Sequence, residues 1–222
     1  AVAVAPMTGV CVEPFARKGP PRLRLSLAAY SFRDQFVKGK DGAPAKMDMF
    51  RFLDYCAEHG CDGAELTSYY FEDPATDAYL RQVQRHAFLR GVSVSGTAIG
   101  NTFTLPAGKD REKELELTRT WIAHAAVIGA PHIRVFAGEA KGSPKADAKR
   151  RTIEALEEMG DLAGRHGIFL GVENHGGIVA EADDLLEIVR TVRSPWVGIN
   201  LDIGNFNTTD PYADLARCAL YA

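Results

Sequence analysis

What this chain lacks narrows its chemistry. It has four cysteines, Cys11, Cys56, Cys61 and Cys218, and no two of them form a C-x-x-C pair. That removes the usual zinc and dithiol motifs, and the thiols read as small core residues. No apolar run approaches ~18 residues, the length of a spanning helix, so no membrane partner is expected. No basic block occurs, and 26 Lys and Arg against 29 Asp and Glu leave a net charge of −3; no nucleic-acid partner is expected either. The first residue is not Met. Ala1 to Pro6 is small and apolar, and a loop rich in Pro, Gly and basic residues runs on to Arg24. This reads as the tail of an export signal or as a plain N-terminal extension. Residues 1–21 are therefore set apart from a domain over 22–222, periplasmic on the first reading and cytoplasmic on the second.

What is present is a steady alternation of strand and helix patterns. Strand candidates are Leu23–Tyr30, Asp62–Leu66, Val92–Ile99, His132–Phe136, Ile168–Val172 and Trp196–Leu201. Between them lie helical patterns, such as Met49, Phe52, Leu53, Cys56 and Ala57 at i, i+3, i+4, i+7 and i+8. Gly60, Gly91 and Gly129 stand where helix C-caps fall. Six β/α units with short connections predict a parallel sheet. A doubly wound sheet would want a Gly-rich phosphate loop after an early strand; Tyr30-Ser31-Phe32-Arg33 stands there instead. A (β/α)8 TIM barrel fits better. It needs eight units and about 250 residues, so the six units in 222 residues predict a barrel truncated at its C-terminus.

Two strand ends carry the chemistry. Glu173 closes the fifth strand in Gly171-Val172-Glu173-Asn174-His175, and Asp202 follows the sixth in Leu201-Asp202-Ile203-Gly204-Asn205. Barrel enzymes place their active sites at the C-terminal ends of the strands. Two carboxylates there, with His175 and Asn205, make an oxygen-rich set suited to a divalent metal. Candidates for substrate contact are His175 and Asn205 themselves, with Glu65, Asn101, Arg134 and Tyr30 at or beyond other strand ends. Glu65 has a structural alternative as the ion-pair partner of Arg134. His132 begins the fourth strand, at the end of a barrel away from catalysis.

These two motifs, with Asp62-Gly63-Ala64-Glu65-Leu66, resemble the xylose isomerase-like TIM barrels, the sugar phosphate isomerase/epimerase superfamily. The resemblance implies a divalent ion (Mn, Mg, Co or Zn) held by Glu173 and Asp202, with a His and a Glu from two further strands beyond Ala222. Many such relatives carry a His three residues after the strand-six Asp; here that position is Asn205, which cannot shuttle protons. The resemblance also implies a small sugar or polyol substrate. The reaction would be isomerisation, epimerisation or dehydration through an ene-diolate, with Glu173 as the catalytic base. A non-catalytic carbohydrate-binding barrel is the alternative. A nuclease like the apurinic endonucleases fits less well, since those need many His ligands and only His175 stands at a strand end. A homo-oligomer is compatible with the sequence and not specified by it.

Overall fold

The computed structural model describes residues 12–20, 22–37 and 44–222. Cys11 and the apolar start of the chain, on which the export reading rests, lie outside them. The elements run β1 (Ser26–Ala28), α1 (Arg33–Phe36), α2 (Met49–Glu58), β2 (Gly63–Thr67), α3 (Asp77–Arg90), β3 (Ser93–Ala98), α4 (Lys109–Ile128), β4 (His132–Val135), α5 (Lys145–Arg165), β5 (Phe169–Glu173), α6 (Ala182–Thr191), β6 (Val197–Asn200) and α7 (Pro211–Cys218). The strands form one sheet in chain order, each neighbouring pair parallel. Among the described residues β1 and β6 are the two edges and do not pair with each other. The arc is open, as six units of an eight-unit ring must be. No described helix is long and apolar enough to cross a membrane.

Local chemistry explains the boundaries. Asp48, Thr76 and Asp210 accept hydrogen bonds from the backbone N–H groups of Arg51, Tyr79 and Ala213, which satisfies orphan donors at three helix starts. At the end of α2, Gly60 takes φ 70°. Cys61 N then donates to Cys56 O and Gly60 N to Ala57 O, the paired bonds of a Schellman turn. Cys56 is fully buried there, and burial pushes its thiol up to about 12.

The first strand is shorter than its pattern predicts. Only Ser26 to Ala28 pair, with Gly63 to Glu65, and Ala29–Phe32 coils into a 3-10 turn. As an edge strand, β1 has one neighbour, and Leu23 and Leu25 stay largely exposed. Part of the expected N-terminal extension is docked. Val12 is buried and donates to Val192 O at 3.2 Å, and Phe15 N donates to Leu220 O at 2.8 Å.

Helices α2 to α6 each bury one face; α2 does so through Met49, Phe52, Leu53 and Cys56. Inside the arc, side chains from neighbouring strands alternate in size. His132 of β4 lies over Gly171 of β5 and beside Gly96 of β3, where an added Cβ would come within 3.1 Å of its Nδ1. A Cβ on Gly171 would overlap His132 Nε2 outright. Glycine is required at 171 for space, and the imidazole fills the layer that the two glycines leave open.

Candidate active site

Strand β5 delivers Glu173 to the C-terminal end of the sheet, where it is 7% exposed. A buried carboxylate needs a counter-charge and hydrogen-bond donors, and Glu173 has both. Its Oε2 lies 2.8 Å from Arg134 Nε. Its Oε1 accepts from Asn205 Nδ2 at 3.0 Å and lies 3.0 Å from His175 Nδ1. Nδ1 of His175 is also 3.3 Å from the Asn205 amide nitrogen. In one tautomer it donates to Glu173; in the other it accepts from Asn205.

Arg134 comes from the neighbouring strand β4, with its inward direction fixed by the register that pairs Arg134 with Gly171. Its Nη1 donates to Ile99 O at 2.7 Å. Its guanidinium lies over the Phe136 ring, 3.9 Å from the centroid, and Phe136 in turn lies 4.6 Å from the His175 ring. Guanidinium and imidazole thus lie against the same phenyl ring beside Glu173. The expected bridge between Glu65 and Arg134 is replaced: Arg134 pairs with Glu173, because β4 and β5 are adjacent and Glu65 sits two strands from β4. Glu65 Oε1 accepts from Thr67 Oγ1 at 2.9 Å. Burial pushes its carboxyl above the ordinary range, the Thr67 bond and Arg134 pull it back, and the Glu173 charge adds to the rise.

Asp202 is half-buried, and its Oδ1 accepts from Gly204 N at 2.7 Å. Its peptide is held on both sides by Asn174: the Asn174 amide donates to Asp202 O at 2.9 Å and accepts from Asp202 N at 2.8 Å. Asn101 does the same for Phe136, donating to its O and accepting from its N, both at 2.9 Å.

A cavity of about 190 Å³ opens beside Glu173, lined among others by Asn101, Phe136, Glu139, Lys141 and His175. Of the sequence candidates, Glu173, His175, Asn205 and Arg134 join in one bonded group, and Asn101 lines the same cavity. Tyr30 stands apart from it, half-exposed and edge-on to Tyr69 at 6.5 Å. Sequence reasoning passed over Phe136 and Asn174. Phe136 follows Arg134 by two residues, so both face the same side of a strand, and Asn174 stands inside the motif that flagged Glu173.

As a metal centre, the donor chemistry fits and the number does not. Glu173 and Asp202 are hard oxygen donors suited to a divalent ion. Both Glu173 oxygens already have protein partners, and among the described residues no group of three His, Cys, Asp or Glu side chains is placed to hold an ion.

The order of strands agrees with a family-level match. Residues 53–221 fit the model of the xylose isomerase-like TIM barrel family. The chain belongs to that family. Solved structures of similar fold include a probable 3-DHS dehydratase, AsbF, from Bacillus anthracis, at TM-score 0.70 and 18% identity, with 90% of this chain and 70% of that one covered. D-psicose 3-epimerase, solved in the presence of D-fructose, aligns at TM-score 0.73 and 18% identity over 89% and 70%. A xylose isomerase-like TIM barrel protein from Mycobacterium smegmatis, in complex with magnesium, aligns at 0.69 and 18% over 90% and 72%. At these identities the likeness is one of fold. No curated protein sequence matches the chain.

Proposed function

We propose that this chain carries the core of a sugar- or polyol-modifying enzyme of the isomerase, epimerase or dehydratase kind, which removes a carbon-bound proton next to a carbonyl. The observation that carries the reading is Glu173: a strand-end carboxylate, nine-tenths buried, facing a cavity and held by three polar neighbours. The similar structures support it, since they include a probable dehydratase and an epimerase.

Glu173 takes the proton, the electron pair moves to the carbonyl oxygen, and an ene-diolate results. Protonation at the other face gives the epimer and at the neighbouring carbon the isomer; loss of a β-hydroxyl gives the dehydrated product. Arg134 balances the buried charge of the base, and Asn205 and His175 fix which lone pair of Oε1 meets the substrate. Buried hydrogen bonds of this kind hold a base in geometry at no cost at the moment of reaction. Asn101 and His175 line the cavity and are the proposed contacts for sugar hydroxyls. A divalent ion (Mn, Mg, Co or Zn), held by Glu173 and Asp202 with further ligands, would acidify the proton and stabilise the ene-diolate. That both Glu173 oxygens are already bonded is the one observation that favours a non-catalytic carbohydrate-binding barrel instead.

The test is solvent deuterium exchange into a panel of ketoses and polyol-derived ketones by full-length protein. Glu173→Gln keeps the shape and removes the base, so exchange should fall by at least ~10²-fold, the lower range of general-base contributions. Wild-type exchange in the variant removes Glu173 from the base role, and no exchange by either protein favours the binding barrel.

A further inference from the structure

The ladder between β5 and β6 ends at Glu173 opposite Asn200. Beyond it the two chains are free to diverge, because a strand end has no further backbone partner. Asn174 prevents this. Its side chain is 1% exposed, and its carboxamide supplies one donor and one acceptor to the two sides of a single residue, Asp202. A side-chain amide here takes the place of one more rung of backbone pairing. Asn174 is bonded covalently to Glu173, and Asp202 is the other strand-end carboxylate, so this rung fixes one against the other. The Asp202 carboxylate itself stays clear of the clamp, with Oδ1 bonded to Gly204 N. Asn101 repeats the device two strand pairs back, between the end of β3 and Phe136. The β4–β5 junction between the two clamps is closed by the Arg134–Glu173 ion pair.

We infer that Asn174 is a positioning residue: it sets the placement of the Asp202 carboxylate relative to Glu173, and through it the capacity of that pair to act together. The inference rests on the proposed role of the two carboxylates, and its test separates the two. The variants are Asn174→Leu, of similar volume and unable to form either bond, and Asn174→Asp, which keeps an acceptor for Asp202 N–H and loses the donor. The first readout is amide exchange over residues 201–205 in full-length protein. Loss of both bonds should accelerate it at least about fivefold, the lower range for two net hydrogen bonds, with Asn174→Asp in between and exchange over β2 and β3 unchanged. The second readout is Mn²⁺ titration by calorimetry, in which affinity should fall at least about tenfold in Asn174→Leu. If the leucine variant does not fold, the aspartate variant carries the exchange measurement alone.

Unchanged exchange at 201–205 overturns the clamp. Faster exchange with Mn²⁺ affinity within about twofold of wild type makes Asn174 an anchor only and overturns the positioning role. Wild-type protein that binds no Mn²⁺ overturns the metal part of the proposed function. The exchange rates then support or overturn the clamp by themselves.

Discussion

Replacing Arg134 by Met should cost more stability than any other single change at the site. The side chains of Arg134 and Glu173 are 11% and 9% exposed, so the pair is buried, and removing one member of a buried pair costs about 3–5 kcal/mol. The lower end applies, because Glu173 keeps the Asn205 bond and a His175 contact. Met fills the space of the arginine stem and can stay against Phe136, but Ile99 O loses its donor and the cation–π contact over Phe136 is lost. The expected loss is about 3–4 kcal/mol. At a urea slope of about 3 kcal/mol per molar, the top of the range for small proteins, the unfolding midpoint should drop by roughly 1 M. Glu173→Gln should cost less, because Arg134 then keeps Ile99 O and the Phe136 ring. The double variant should be more stable than the sum of the two losses. The pH dependence has a definite sign. A buried carboxylate with no cation beside it binds a proton more readily than the unfolded chain does. The native state of Arg134→Met then holds more protons than the unfolded state, so its deficit is largest at neutral pH and shrinks as pH falls towards 5. A loss below about 1 kcal/mol at pH 7.5, or a deficit that grows on acidification, refutes the view of Arg134 as the counter-charge of a buried base.

Gly171→Ala should lower Tm by about 2–12 °C, from an overpacking cost of ~1–3 kcal/mol at about 2–4 °C per kcal/mol for a chain of this size. A wild-type melt would show that His132 does not occupy the space over Gly171. His132 is pushed down from 6.5 to about 4 by burial, with Arg134 adding to the fall. Between these values the unfolded chain binds a proton that the native state refuses. This group's contribution is therefore present above pH 6.5 and lost as pH falls towards 4, by roughly 3 kcal/mol at most at ~1.4 kcal/mol per tenfold change in proton affinity. His132→Asn should flatten that part of a stability-against-pH curve, and an unchanged slope from pH 6.5 to 4 counts against it. Deuterium exchange by the full-length protein should cease on chelation and return with Mn²⁺, Mg²⁺, Co²⁺ or Zn²⁺; exchange that survives chelation argues against the proposed ion.

The parallel β/α order was legible because its signals are local. Apolar periodicity marked α2, and Gly60 and Gly91 marked helix ends, each signal lying within a few residues of what it marks. Strand β1 was misjudged in length because an edge strand's extent depends on what lies beside it, and no local pattern reports that. Glu173 and Asp202 could be picked out for the same reason as the strands: a carboxylate closing a β-prone run is a local event. Their partners are not local. Arg134 could be read as a substrate contact or as the partner of Glu65; its ion pair with Glu173 on the adjacent strand is not a local signal.

The same distinction explains why the structural role of the asparagines was missed. Asn101 reads in the sequence as a substrate contact and Asn174 was passed over, and each is bonded on both sides to the backbone of the following strand's end. A parallel sheet whose strand ends splay around a cavity gives up ladder bonds there, and buried peptide groups cannot be left unpaired. Side-chain amides solve both problems, because they pair a peptide without requiring the strand to continue. The strand-end carboxylates of this candidate site therefore stand on a rim that is tied together by neutral amides and one ion pair. The chemistry assigned to Glu173 depends on those ties as much as on its own carboxylate.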